Sequence, residues 1–392
     1  MGFQKIKDDV YYVGVQDWDR RLFDELIPLP DGTSYNSYLI HGIEKTALID
    51  TVDPPKAEEL ISNLGKLGIE KLDYVISNHA EQDHSGALPH ILEIHPEAQI
   101  VTNAKCKAFL MDLLHIPEEK FIIKAHGEEL SLGNKTLSFL LAPWVHWPET
   151  MFTYIKEDKI LFSGDLFGAH LAFGELFVRD EARVYFAAKR YFAEIMMPFR
   201  TNIRKHMRML KDYQLDIIAP THGQVYDNPE FILDEYEEWI SDDVENKVLI
   251  PYVSMHGSVE RMVQYLTEKL TEYGINVIPF NMSVTDIGEF AMELVDAATI
   301  VIGSSTVHVG PHPKIIYATY LTNMLRPKAK YASIIGSYGW GSKMVDNIKA
   351  LLNNFKGELL EQVISKGYPN EVDYRALDEL ALLITEKHKN LE

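Results

Sequence analysis

A single cysteine, Cys106, occurs in the 392 residues of the chain. A disulfide framework, a cysteine-ligated iron–sulfur cluster and a tetrathiolate metal site are therefore excluded within it. Basic side chains are also scarce: 38 Lys and Arg face 58 Asp and Glu, for a formal net charge of −20. Nucleic acid and anionic membrane surfaces both demand basic patches, so neither is expected as a partner. No apolar run approaches the ~18 residues that a membrane span needs. The opening Met1–Asp9 lacks the apolar stretch of a signal peptide, and Ile6 stands where a myristoylation motif takes Ser or Thr. A cytoplasmic location is the expectation. What the chain does have is 46% hydrophobic and 24% charged residues, a globular composition with length enough for two domains.

The excess acid is uneven. Residues 1–248 carry 25 basic and 42 acidic side chains, whereas residues 249–392 carry 13 and 16. Nine of the acids lie in Asp227–Glu245, where Ile232, Tyr236 and Ile240 recur every fourth residue. That spacing predicts a helix with one apolar stripe and a solvated acidic face. At Lys247-Val-Leu-Ile-Pro-Tyr-Val-Ser the sequence changes character, which sets the expected domains at 1–247 and 248–392. Before this point, short β-rich runs such as Val10–Val15, Thr46–Asp50, Tyr74–Ser77, Leu137–Leu141 and Lys159–Phe162 alternate with helical stretches at Pro55–Leu67 and Lys105–Leu114, a mixed α/β layer pattern. After it, strands at Val248–Val253, Asn276–Phe280, Thr299–Gly303 and Tyr331–Ile335 alternate with helices, as in a doubly wound parallel sheet. Ligands of such sheets bind at the carboxyl ends of the strands.

Strand Tyr74–Ser77 runs into Asn78-His79-Ala80-Glu81-Gln82-Asp83-His84-Ser85-Gly86, four metal-binding side chains within six residues. A tight turn there can aim His79 and Glu81 one way and Asp83 and His84 another; alternatively the segment is a polar turn in which Asp83 or Ser85 caps a helix. Three further candidates each follow a predicted strand: His146 in Pro-Trp-Val-His-Trp-Pro, Asp165 in Ser-Gly-Asp, and His222 in Pro-Thr-His-Gly. A carboxylate such as Asp165 can bridge two ions roughly 3.5–4 Å apart. His170 lies near Asp165 in sequence and is a candidate supporting residue, whereas Tyr191 reads as structural or as a proton source. His41, His90, His95, His115, His126, His206 and His256 have no partner cluster and read as surface or packing residues.

In the second half, Ser254-Met255-His256-Gly257-Ser258-Val259 joins a strand to a helix. A hydroxyl- and glycine-rich turn at a helix N-terminus offers backbone N–H groups to a phosphate. It lacks both the Gly-x-Gly-x-x-Gly pattern and the Walker lysine, which favours a mononucleotide. Two later loops, Ser304-Ser305-Thr306-Val307-His308 and Ser337-Tyr338-Gly339-Trp340-Gly341, would add further contacts. Tyr338 and Trp340 suit a planar ring system.

The spaced His79–His84, His146, Asp165 and His222 motifs, with Leu48-Ile49-Asp50-Thr51, resemble the metallo-β-lactamase superfamily over about the first 245 residues. Glu81 departs from that pattern by replacing a histidine. The added carboxylate makes the donor set harder and more anionic, better suited to iron or manganese than to a dedicated zinc site. Residues 248–392 look like a flavodoxin domain, with Val259 where a phosphate-binding Thr is usual and Ser305 where a proline is common. The two together resemble flavodiiron proteins along essentially the whole chain. That resemblance implies an αββα sandwich followed by a flavodoxin-like sheet, two iron ions and flavin mononucleotide (FMN). It further implies reduction of dioxygen to water, of nitric oxide to nitrous oxide, or of both. One iron would take His79, Glu81 and His146, the other Asp83, His84 and His222, with Asp165 bridging. The family also implies a head-to-tail homodimer, or a dimer of dimers, and an external electron donor such as rubredoxin or a reduced deazaflavin. The competing expectations are a dizinc hydrolase with an accessory flavodoxin domain, and an electron carrier whose first domain is only a scaffold.

Overall fold

The computed structural model describes residues 2–391. They form two compact units: one holds the chain up to Phe192 together with Phe199–Ile240, the other Ala193–Pro198 together with the chain from Ser241 onward.

The first unit contains two facing sheets. One runs in the order Gln4–Lys7, Val10–Tyr12, Tyr38–His41, Thr46–Ile49, Tyr74–Ile76, Gln99–Thr102, Phe121–Ile123; the other takes Glu129–Ser131, Thr136–Leu141, Met151–Ile155, Ile160–Phe162 and Ile217–Ala219. Because successive strand residues point to opposite faces, neighbouring apolar residues divide between two cores. Ile40, Ile49, Ile76 and Val101 meet Phe139, Met151 and Phe162 of the second sheet. Their neighbours Leu39, Leu48, Val75 and Ile100 meet Leu60, Leu64, Leu88, Ile91 and Leu110 from the outer helices. Burial on both faces explains why these strands are uniformly hydrophobic. The acidic segment forms a helix at Pro229–Ile240 that buries Ile232, Tyr236 and Ile240, the anticipated stripe, as well as Trp239. The β-run at residues 10–15 is interrupted: its two ends belong to different sheets, Val10–Tyr12 and Val15–Asp17.

The second unit is a parallel sheet ordered Asn276–Asn281, Glu245–Val253, Ala297–Val307, Tyr331–Tyr338, then the short Glu358–Leu359 and Val363–Lys366. In chain order this is 2-1-3-4-5, the flavodoxin-like arrangement. Helix Ser258–Glu272 and helix Glu371–His388 cover one face through Val259, Met262, Leu266, Leu377, Leu380 and Ile384. Two strands run further than their sequence indicates. Ser304 pairs with Val253 on one side and Gly336 on the other, and Ser305 with Ser337, so ladder pairing carries these two polar residues into the sheet. The region expected as a second loop is instead the end of a strand plus a hairpin, with Thr306 paired to Pro311 and Val307 to Gly310. Its turn residues His308 and Val309 have φ of 45° and 72°.

Candidate metal centre and cofactor loops

All seven candidate ligands sit on turns that leave the carboxyl ends of strands or join them. His79 follows strand Tyr74–Ile76, and Asp83 and His84 lie on the short helical turn Gln82–Ser85. His146 lies between Thr136–Leu141 and Met151–Ile155, Asp165 just past Ile160–Phe162, and His222 just past Ile217–Ala219. Glycines make two of these turns possible. Gly164, before Asp165, and Gly223, after His222, have φ of +57° and +80°, conformations that L side chains rarely adopt.

The seven side chains converge into two groups: His79, Glu81, His146 and Asp165, and Asp83, His84 and His222. Asp165 joins them. Its Oδ2 lies 3.4 Å from His79 Nε2 and 3.2 Å from His146 Nε2, whereas its Oδ1 lies 2.9 Å from His84 Nε2 and 3.6 Å from His222 Nε2. Glu81 Oε2 stands 3.1 Å from Nε2 of both His79 and His146. Asp83 reaches His84 at 3.3 Å through Oδ1 and His222 at 3.1 Å through Oδ2.

Protonation logic shows what this arrangement lacks. His79 Nδ1 lies 2.7 Å from Glu149 Oε1, and His222 Nδ1 lies 2.6 Å from the Ser34 carbonyl. Both partners only accept, so each Nδ1 carries a proton and each ring turns its Nε2 edge toward carboxylates, the edge a cation between them would engage. Both oxygens of Asp83 and Oδ2 of Asp165 are buried and take no hydrogen bond. Lone pairs converging from imidazole and carboxylate fit divalent cations, and a donor set rich in carboxylate favours iron or manganese.

Without cations the centre would hold protons. Burial lowers the imidazole pKa values, but the surrounding carboxylates outweigh it. Glu149 and Glu81 hold His79 well above its ordinary value, and Asp165 raises His84 and His146 to about 9. Burial opposes ionisation of Asp165 too, yet His84 and His146 hold its pKa well below the usual range.

Aromatic rings wall the centre. Trp147 packs edge-on to His79 at 5.1 Å, Tyr35 and Tyr191 lie 6.0 and 5.8 Å from the His222 ring, and Phe23 lies 4.8 Å from His170. His170 is buried between Tyr191 and His222, with Nδ1 2.9 Å from Thr33 Oγ1. Burial, and then the neighbouring His222, holds it well below its ordinary pKa, so the ring is neutral. Burial, followed by the charges of Asp165 and Asp83, holds the Tyr191 phenol well above its ordinary value.

Two supporting residues escaped the sequence reading, Glu149 and Thr221. The Thr221 hydroxyl donates to Asp165 Oδ1 at 2.9 Å. Each lies within three positions of a candidate ligand, and that proximity is the only sequence signal either one offers.

In the second unit the three candidate cofactor segments meet at the carboxyl edge of the sheet. Met255 N donates to Ser305 Oγ, which donates to the Val253 carbonyl, and Thr306 Oγ1 lies 3.1 Å from Ser342 Oγ. Ser337 and Tyr338 end a strand, while Gly339, Trp340 and Gly341 follow it, with Trp340 80% exposed. Gly257 precedes helix Ser258–Glu272 in a left-handed conformation, and no side chain caps that helix. Ser254 Oγ is buried without a partner. Free helix N–H groups beside an orphaned hydroxyl fit a phosphate. Val259 is fully buried in the core, so its side chain cannot take the place of a phosphate-binding hydroxyl.

Comparison with known proteins shows what the chain is similar to. Residues 33–223 match the family described as ODP family beta lactamase. The chain is 36% identical to the nitric oxide reductase of Moorella thermoacetica over 367 residues, covering 91% of each protein. It is 34% identical to the anaerobic nitric oxide reductase flavorubredoxin of Vibrio vulnificus, covering 93% of this chain and 76% of that one. Among solved structures, rubredoxin oxygen:oxidoreductase from Desulfovibrio gigas superposes with a TM-score of 0.95 at 30% identity and 99% coverage of both chains. The flavodiiron protein from Giardia intestinalis gives 0.88 at 29% identity, covering 99% of this chain and 98% of that one.

Proposed function

The chain belongs to the flavodiiron protein family, and from that premise we propose that it reduces dioxygen to water, nitric oxide to nitrous oxide, or both, at a diiron centre recharged by FMN. The observation that carries the reading is Asp165, whose two oxygens face different groups of ligands. One iron would be held by His79, Glu81 and His146, the other by Asp83, His84 and His222, with Asp165 between them. In this reading residues 1–247 would be the metallo-β-lactamase-like domain and 248–392 the FMN-binding domain, the compact second unit itself beginning at Ser241, ahead of strand Glu245–Val253, and also taking in Ala193–Pro198. The flavin would lie against Ser254–Val259, Ser304–His308 and Ser337–Gly341.

When bound, a ferrous pair supplies two electrons and a fully reduced flavin two more, enough to take dioxygen to water, whereas two nitric oxide molecules need only two. The chain's own residues hold and tune these groups. The aromatic wall limits water, the carboxylates offset cation charge, and Tyr191 keeps a proton on Oη beside Asp165. Glu81 speaks against the dizinc hydrolase, because it substitutes a hard carboxylate for an imidazole. No helix among the described residues is long and apolar enough to cross a membrane. A cytoplasmic location, a head-to-tail homodimer pairing each flavin with the partner subunit's metals, and rubredoxin or a reduced deazaflavin as donor complete the reading.

The test is anaerobic turnover of the iron- and FMN-loaded protein with each gas in turn, fed by reduced rubredoxin. Consumption of at least one gas is expected. A natively colourless protein containing two zinc ions and no flavin would overturn the proposal.

A further inference from the structure

The ligands nearest the metal positions are balanced: each half has two imidazoles, one carboxylate of its own and one oxygen of Asp165. The residues behind them are not. His79 Nδ1 meets a carboxylate, Glu149 Oε1, at 2.7 Å, whereas His222 Nδ1 meets the neutral carbonyl of Ser34, and His84 Nδ1 is buried with no hydrogen-bond partner. A second asymmetry points the same way. Thr221 donates to Asp165 Oδ1, the oxygen nearest His84 and His222, and so draws charge from that half. Oδ2, facing His79 and His146, takes no hydrogen bond.

The fold does not need this charge at Glu149. Its side chain is wholly buried, Oε1 also accepts from Ala80 N at 3.0 Å, and Oε2 has no partner. A neutral glutamine would satisfy Ala80 N equally well. Glu149 is nevertheless held firmly: Asn103 Nδ2 donates to its carbonyl at 2.6 Å, while Asn103 Oδ1 caps helix Ala104–Leu114 through Lys105 N and Cys106 N. A carboxylate behind a ligating imidazole fixes the tautomer and strengthens the ring as a donor.

We infer that Glu149 is a positioning residue that strengthens His79 as a donor and makes the two metal positions unequal, the His79 half binding its ion more tightly and stabilising its oxidised form. This inference rests on the metal-centre reading above.

Glu149→Gln keeps the size and an acceptor oxygen but removes the charge. With iron-loaded protein titrated with a chelator, the variant is expected to release one of its two irons about 10- to 100-fold more readily than wild type, with the other unchanged. In a redox titration followed by electron paramagnetic resonance, only the step of lower potential should move, and it should move upward. Glu149→Asp retains the charge at a greater distance and should fall between the two. Release of both irons as in wild type, or of both together at lower chelator, would overturn the inference; so would an aspartate variant that behaves like glutamine. If the glutamine variant does not fold, the aspartate variant against wild type decides by the same one-iron criterion. A wild-type protein that holds no pair of ions would instead defeat the metal-centre reading itself, and this inference with it.

Discussion

Asp165 combines 1% exposure with two differently engaged oxygens, Oδ2 facing His79 and His146 and Oδ1 facing His84 and His222. Asp165→Ala should lower gas turnover on the order of 100-fold or more and deplete bound iron, while the flavin keeps its wild-type spectrum. Elemental analysis beside turnover checks this, and persisting activity would remove Asp165 from the bridging role. Gly223 allows a different test. A Cβ there would lie 2.8 Å from the Ala169 carbonyl, at a φ of +80°. Gly223→Ala should therefore cost about 1–3 kcal/mol in denaturant unfolding and disturb His222. Trp340 is the opposite case: it is so exposed that Trp340→Ala should leave stability unchanged yet weaken FMN retention several-fold, on the order of 1 kcal/mol of lost ring contact. Equilibrium dialysis would show it.

At the scale of elements, strands buried on two faces were legible as short continuous apolar runs bounded by turn residues, and helices by their recurring apolar stripe. The exceptions have physical causes. Ser304–Val307 reads as loop from its hydroxyls, but Ser304 pairs on both sides, Ser305 with Ser337, and Thr306 and Val307 with the hairpin return at Gly310–Pro311. The closing strands Glu358–Leu359 and Val363–Lys366 are too short for a periodic signal, and helix Glu371–His388, although well capped by Asn370, was not anticipated either. That helix ends in a titratable group. His388 Nε2 lies 2.7 Å from Thr299 Oγ1 and Nδ1 2.7 Å from Asn246 Oδ1, and burial lowers its pKa from an ordinary 6.5 to about 4. The unfolded chain takes up this proton first, so its contribution to stability is present above about 6.5 and lost as pH falls toward 4. Comparing unfolding midpoints across that window, His388→Gln should lack the fall that wild type shows; coincident profiles would contradict the assignment.

For the whole molecule, the convergence of the seven candidate ligands was legible because each is a chemically distinctive residue on a turn beside a strand. Glu149 and Thr221 were not, since their importance lies in which atom they meet. The candidate ligands lie within one compact unit and the candidate cofactor segments within the other. Chelation of the metals should therefore lower the thermal transition of the first unit, and removal of FMN that of the second, each by mass action. Calorimetry on the two stripped forms checks this. A single transition shifted equally by both treatments would show that neither ligand acts on one unit alone.

The spacing of the ligands along the chain also dictates an order of events during synthesis. Asp83 and His84 are made early, but the third member of their group, His222, emerges well over a hundred residues later, after most of both sheets of the first unit. A nascent chain halted before Pro220 would display carboxylates and imidazoles with one corner of the second pocket missing. In the proposed reading, ion capture at that position would wait until the last strand of the first unit has docked, which would tie maturation of the centre to completion of the fold that surrounds it.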